Sequence, residues 1–253
     1  MPERSADGNS KSGGENSGSL RRFEFLDALR GLCCLLMVCY HHCYNLGMAG
    51  ILSWNEVFSF PIILLQLVSS RGFILIAGVS SRLSRSNIRR GFLLIGCSAV
   101  VTIVSLWFGT PIWFGILHFL GSSMLIYGLS DKFLRSVNEY VKASICIVLF
   151  VLTKFWLEDA SAVEQWYLFP IGLITSGFSS ADYYPIFPWI FLYLLGTCMG
   201  APLVELRGRP YIESDRRIWQ FAPLRFLRFI GRHSLAVYLL HQPILQLLLY
   251  FLT

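Results

Sequence analysis

Three ionisable side chains, Asp27, Arg30 and His41, stand inside the first long apolar stretch, LDALRGLCCLLMVCYHHCYNL. In a membrane segment such groups cost several kcal/mol unless they face the protein interior or water, so each is a functional candidate. At about 100° per residue, Asp27, Arg30, Cys34, Met37, Val38, His41 and Asn45 fall within roughly a 100° arc of one helix face. A polar seam therefore runs along this helix. A neutral imidazole at His41 can take a proton from a hydroxyl or amine, or accept an acyl group itself. The structural alternative is a histidine bonded across helices for packing. Asp27 and Arg30, at i and i+3, can pair and so remain charged. His42 points about 100° away and is the weaker candidate.

The elements that must position these groups are membrane helices. The chain has 253 residues, 55% hydrophobic and only 14% charged, well short of the ~25% charge that covers a soluble domain. Its long apolar runs are continuous rather than alternating, which excludes a β-barrel. The expected fold is all-α, a polytopic transmembrane helix bundle in one domain from residue 21 to 253, preceded by a Ser/Gly-rich disordered tail over 1–20. Spans are expected at 25–46, 58–81, 91–109, 111–130, 143–157, 186–204 and 231–252. A shorter piece over 166–178 is interrupted by Pro170 and two glycines. Arginine and lysine crowd alternate loops, while the intervening loops hold only Lys154. The positive-inside rule then places the N-terminus in the cytoplasm. The pattern holds only if 166–178 does not cross, so a re-entrant or interfacial element is expected there.

Other polar residues stand out on the remaining spans. Arg71, in LVSSRGFILIAG, cannot shed its proton and needs either an acid or an anion-holding cavity. His118 shares a stripe with Gly115 and Ser122, where small residues permit close helix approach. His241 lies in the last span, just before Gln242-Pro243. Cys39, His42 and Cys43 share a face but leave a metal shell incomplete, so no metal is expected. No Gly-rich phosphate loop, G-x-S-x-G or H-E-x-x-H occurs. The cations sit in short loops, a topology pattern rather than a nucleic-acid footprint, and they contact membrane lipids. They also form an electropositive floor for a phosphorylated ligand.

Five segments together resemble the bacterial relatives of heparan-α-glucosaminide N-acetyltransferase, within the transmembrane acyltransferase superfamily. They are RRFEFLDALRGLCCLLMVCYHHCYNL, FILIAGVSSRL with its Arg-rich loop, WFGILHFLGSSML, SADYYPIFPWIFLYLLGT and FIGRHSLAVYLLHQPIL. The resemblance implies an acetyl transfer from cytoplasmic acetyl-CoA to a small-molecule or glycan acceptor, a sugar amine or hydroxyl, on the outer face of a bacterial inner membrane. It places His41 at the histidine ending the helix-1 pattern and His118 at that of G-[IV]-L-H, the two catalytic candidates. His241 falls on the terminal H-x-P, and Asp182 on D-Y-x-P-x-x-P-W. With Asn45, these are candidates for holding the acceptor, while Arg30, Arg71 and Arg82 are candidates for holding acetyl-CoA. Many bacterial members have Asp where this chain has Asn45.

Three other function classes are compatible with the residues. Intramembrane Arg71 and the interrupted segment at Pro170 are also transporter features. Two histidines on separate helices can clamp a haem. The chain could be a non-catalytic member of the acyltransferase fold. The oligomeric state is open, with a homodimer as one option.

Overall fold

The computed structural model describes residues 23–206 and 218–252. The expected tail over 1–20, Arg21, Arg22 and the loop arginines 207, 209, 216 and 217 lie outside the described residues. The elements are α1 (Glu24–Met48), the single turn α2 (Trp54–Val57), α3 (Phe60–Leu83), α4 (Asn87–Trp107), α5 (Ile116–Ser136), α6 (Glu139–Asp159), α7 (Ile186–Leu206), α8 (Ala222–Arg232) and α9 (Ser234–Leu252). A 3-10 stretch, Trp166–Ile171, interrupts the connection between α6 and α7. Among the described residues the architecture is all-helical, and α3, α4, α6, α7 and α9 are long and apolar enough to cross a bilayer. The helices α1 and α5 reach 25 and 21 residues, lengths of about 37 and 31 Å at 1.5 Å per residue.

Cross-helix contacts fix the directions. Arg30 reaches Ser80 while Ser69 reaches the Cys33 carbonyl, so α1 and α3 are antiparallel. Gly196 meets Leu75 and Gly200 meets Val79 and Arg82, so α3 and α7 run parallel. The α6 ring of Phe150 packs on Trp189 near the start of α7, and Gly172 sits between Leu157 and Phe187. α6 therefore ends where α7 begins, and the segment 160–185 leaves and returns at one face of the bundle.

Lipid tails are as apolar as the helices, so close backbone contact, rather than hydrophobic exclusion, holds such a bundle together. Glycines supply it. Gly31 and Gly231 let α1 and α8 touch, each against the other helix's carbonyl oxygens at Leu227 and Asp27. Gly78 and Gly196 do the same between α3 and α7. Among the described residues, the lysines and arginines other than Arg71 and Lys154 gather toward one end of the bundle, the basic end, and Lys154 lies within α6 rather than in a loop.

Two boundaries differ from the sequence expectation. The fourth helix begins at Ile116 rather than 111, because residues 111–114 are extended and strapped to the segment before α7. Ala181 donates to the Pro111 carbonyl (2.9 Å) and Tyr184 to that of Phe114 (2.8 Å). The last span, expected over 231–252, is the single helix α9 and begins at Ser234, with a separate helix, α8, before it. α8 ends at Arg232 and turns at His233, because its glycine face is committed to α1.

Candidate active site

The polar seam of α1 meets α9. Gln242 sits between two α1 residues, with its amide nitrogen 3.0 Å from His41 Nδ1 and its oxygen accepting from Asn45 Nδ2 at 3.0 Å. Next to it, the His241 ring lies with its centre 4.9 Å from that of His41. His241 is buried, 7% exposed, while His41 is partly exposed and forms the open side of the pair.

Hydrogen bonding assigns the protons. His241 Nδ1 is 2.6 Å from the Tyr238 carbonyl, which can only accept, so Nδ1 carries the proton. Its Nε2 is then an unprotonated lone pair, buried and without a hydrogen bond among the described residues. His41 has the opposite arrangement. With the Gln242 amide donating to Nδ1, the neutral ring keeps its proton on Nε2. The pair thus presents one acceptor nitrogen and one donor nitrogen on adjacent rings. Turning both amides of the Asn45–Gln242 chain would reverse the His41 tautomer, so the amides control which nitrogen is basic.

Tyr238, one turn before His241, extends the network by donating to Asp182 Oδ2 at 3.4 Å. The same oxygen accepts from the Ile116 backbone N–H at 3.0 Å, at the first turn of α5. There the carboxylate meets an otherwise unpaired helix donor and the positive end of the helix dipole. Burial on the loop pushes the Asp182 carboxyl up to about 6, against the two hydrogen bonds that favour its charge. Gly115 is required beside it, since a Cβ there would stand 2.6 Å from the carboxylate. Asp182 therefore joins α5, α9 and the strapped loop, and Tyr238 stands between it and His241.

Aromatic rings line the approach to His41 from the end of the bundle opposite the basic end. Tyr40 stands 5.4 Å from the imidazole, Tyr44 contacts Trp54 at 5.7 Å, and Trp54 stacks on Phe58 at 5.8 Å. The α2 turn that carries Trp54 is closed by a capping box between Ser53 and Glu56.

The other expected residues are placed elsewhere. His118 faces α4: its Nε2 lies 3.2 Å from Thr102 Oγ1, whose hydroxyl donates to the Ile112 carbonyl, and its ring stacks on Phe114. These contacts link α4 and α5, and His118 does not join the His41 pair. Arg30 bonds Asp27 (3.2 Å), Ser80 (2.7 Å) and the Gly231 carbonyl (3.4 Å), tying α1 to α3 and α8. Arg82, at the basic end, pairs with Glu139 at 2.7 Å, and Lys142 takes the other carboxylate oxygen at 2.8 Å. Its Nε and Nη1 remain buried without a well-formed hydrogen bond among the described residues, with Tyr127 beside it. Arg71 lies with its guanidinium carbon 5.6 Å from the Trp189 ring centre, in a cleft away from both the histidines and the basic end.

Sequence reasoning missed Gln242, Tyr238, Thr102 and Glu139. Gln242 was accessible by the test that singled out His41, a strongly polar side chain inside an apolar run. Tyr238 and Thr102 gave no signal, because a tyrosine or threonine in a membrane helix is ordinary until its partner is known, and Glu139 stands at the start of α6, where an acid is common.

A family model described as heparan-alpha-glucosaminide N-acetyltransferase, catalytic, matches residues 22–243. No curated protein and no solved structure matches the chain.

Proposed function

Since the chain belongs to the heparan-alpha-glucosaminide N-acetyltransferase catalytic family, we propose that it is an integral membrane acetyltransferase with its chemistry at the His41–His241 pair. The observation that carries this reading is the 4.9 Å approach of two imidazoles, with His241 Nδ1 committed to the Tyr238 carbonyl and its Nε2 left as a lone pair. In the proposed reaction the acceptor amine or hydroxyl loses its proton to His241 Nε2 and attacks the acetyl carbonyl of acetyl-CoA. The His41 Nε2–H donates to the carbonyl oxygen as negative charge develops on it. The carbon–sulfur bond then breaks, and the CoA thiolate leaves and recovers the proton from His241. Gln242 and Asn45 orient His41, and Tyr238 with Asp182 orients His241.

The donor is read as entering from the basic end. Glu139 neutralises one of the two cations Arg82 and Lys142, so that cluster keeps a net positive charge. Arg30 is a structural tie in this scheme, and Arg71 is too far along the bundle to share the same ligand group. By the positive-inside rule the basic end is cytoplasmic, which puts the N-terminus inside and the aromatic approach to His41 on the outer face. Flat aromatic walls suit a sugar acceptor there.

The test uses the purified full chain in detergent with radiolabelled acetyl-CoA and a panel of hexosamines and simple amines and alcohols. The expected result is saturable thermal stabilisation by acetyl-CoA and transfer of label to at least one acceptor. Absence of stabilisation by both acetyl-CoA and CoA would overturn the proposal.

A further inference from the structure

Arg71 stands on the same α3 stripe as Leu64 and Val68, at i, i+4 and i+7, and both of those are widely exposed. Across a groove, α6 presents Ile147, Val151, Lys154 and Glu158 along one similarly exposed stripe. α7 packs against both helices and forms the floor with Pro188 and Trp189. The resulting cleft of about 350 Å³ opens sideways between two lipid-facing helices, in the half of the bundle away from the basic loops.

Its charges do not cancel. Lys154 Nζ lies 3.6 Å from Glu158 Oε1, which makes that pair neutral. The Arg71 guanidinium has no ion pair among the described residues and lies over the face of Trp189, with Tyr184 nearby. It cannot deprotonate, and it lies about 16 Å along α3 from Phe60, at 1.5 Å per residue. A permanent cation at that depth, facing hydrocarbon, needs an anion delivered on an apolar body.

We propose that this lateral groove binds the headgroup of an anionic membrane lipid. Its phosphate sits on Arg71 against the Trp189 ring, and its chains follow the exposed stripes of α3 and α6. One uncompensated positive charge matches a monoanionic headgroup better than a zwitterionic one. This site is separate from the histidine pair and does not depend on the acetyltransferase reading.

Thermal unfolding of the purified full chain tests it, with dihexanoylphosphatidylglycerol, dihexanoylphosphatidylcholine and glycerol 3-phosphate as probes. The expected result is saturable stabilisation by the phosphatidylglycerol, at least fivefold weaker apparent affinity for the phosphatidylcholine, and no response to glycerol 3-phosphate. Arg71→Gln should weaken the phosphatidylglycerol affinity at least tenfold. Glu158→Gln, at an exposed position that folding does not need, should strengthen it by freeing Lys154. Equal stabilisation by both lipids would overturn the proposal, and so would an equal response to glycerol 3-phosphate, which would mark a water-facing anion site. An unchanged affinity in both variants would do the same. A halved particle mass for Arg71→Gln in light scattering would also overturn it, by assigning the groove to a second copy of the chain.

Discussion

His41 of α1 and His241 of α9 face each other with ring centres 4.9 Å apart, and only the second has its tautomer fixed by a backbone carbonyl. The two rings therefore carry different duties. His241→Ala should lower acetyl transfer by about 10²–10⁴-fold, the range of a lost general base. His41→Gln, which keeps an N–H donor, should retain clearly more turnover than His41→Ala. Single-turnover measurements with labelled acetyl-CoA decide this, and equal losses in all three variants would count against divided roles.

Gln242 holds His41 by an amide that can donate or accept. Gln242→Leu should cost roughly tenfold in turnover, because the ring loses its partner and its orientation. Gln242→Glu can only accept at His41 Nδ1 and moves the free lone pair to Nε2. Retained activity in Gln242→Glu would make His41 the base, whereas loss in both variants fits His41 as the donor.

Asp182 gives a pH signature with a definite sign. Its carboxyl is raised to about 6 in the folded chain, from an ordinary value of 3.8, chiefly by burial. The folded state binds the proton more tightly, so this group's stabilisation is fully present below about pH 4. It is lost as pH rises through 6, by an amount on the order of 3 kcal/mol. Asp182→Asn should remove this component. The difference between the melting temperatures of the two proteins should change between pH 4.5 and 6.5 and stay flat from 7 upward.

Two glycines should respond oppositely to the same substitution. A Cβ on Gly231 would run into the Asp27 carbonyl oxygen, so Gly231→Ala forces α8 from α1 at a cost of about 1–3 kcal/mol. A Cβ on Gly96 meets nothing within 4 Å, so Gly96→Ala should stabilise α4 by about 0.5–1 kcal/mol. Thermal or denaturant unfolding in one detergent compares them directly.

His118 should behave as a packing residue. Thr102→Val removes its partner and should cost about 1 kcal/mol of stability while leaving turnover within threefold. A hundredfold loss of turnover with unchanged stability would return His118 to the catalytic machinery.

The sequence alone determined the features set by local pattern and by the cost of polarity in lipid. Apolar runs set the helices, loop arginines set the basic end, and the i, i+3 spacing of Asp27 and Arg30 set their ion pair. Charge alternation pointed to a connection between α6 and α7 that returns to one face of the bundle. Tertiary structure decided the features that depend on contact between distant segments. The start of α5 was settled by backbone bonds from residues 181–184, and the break at His233 by a glycine crossing with α1. Which histidines meet was decided by the angle at which α9 lies on α1, and their tautomers by a carbonyl and an amide that only that packing brings within reach. Imidazole chemistry depends on its neighbours, and here those neighbours lie almost the whole length of the chain away.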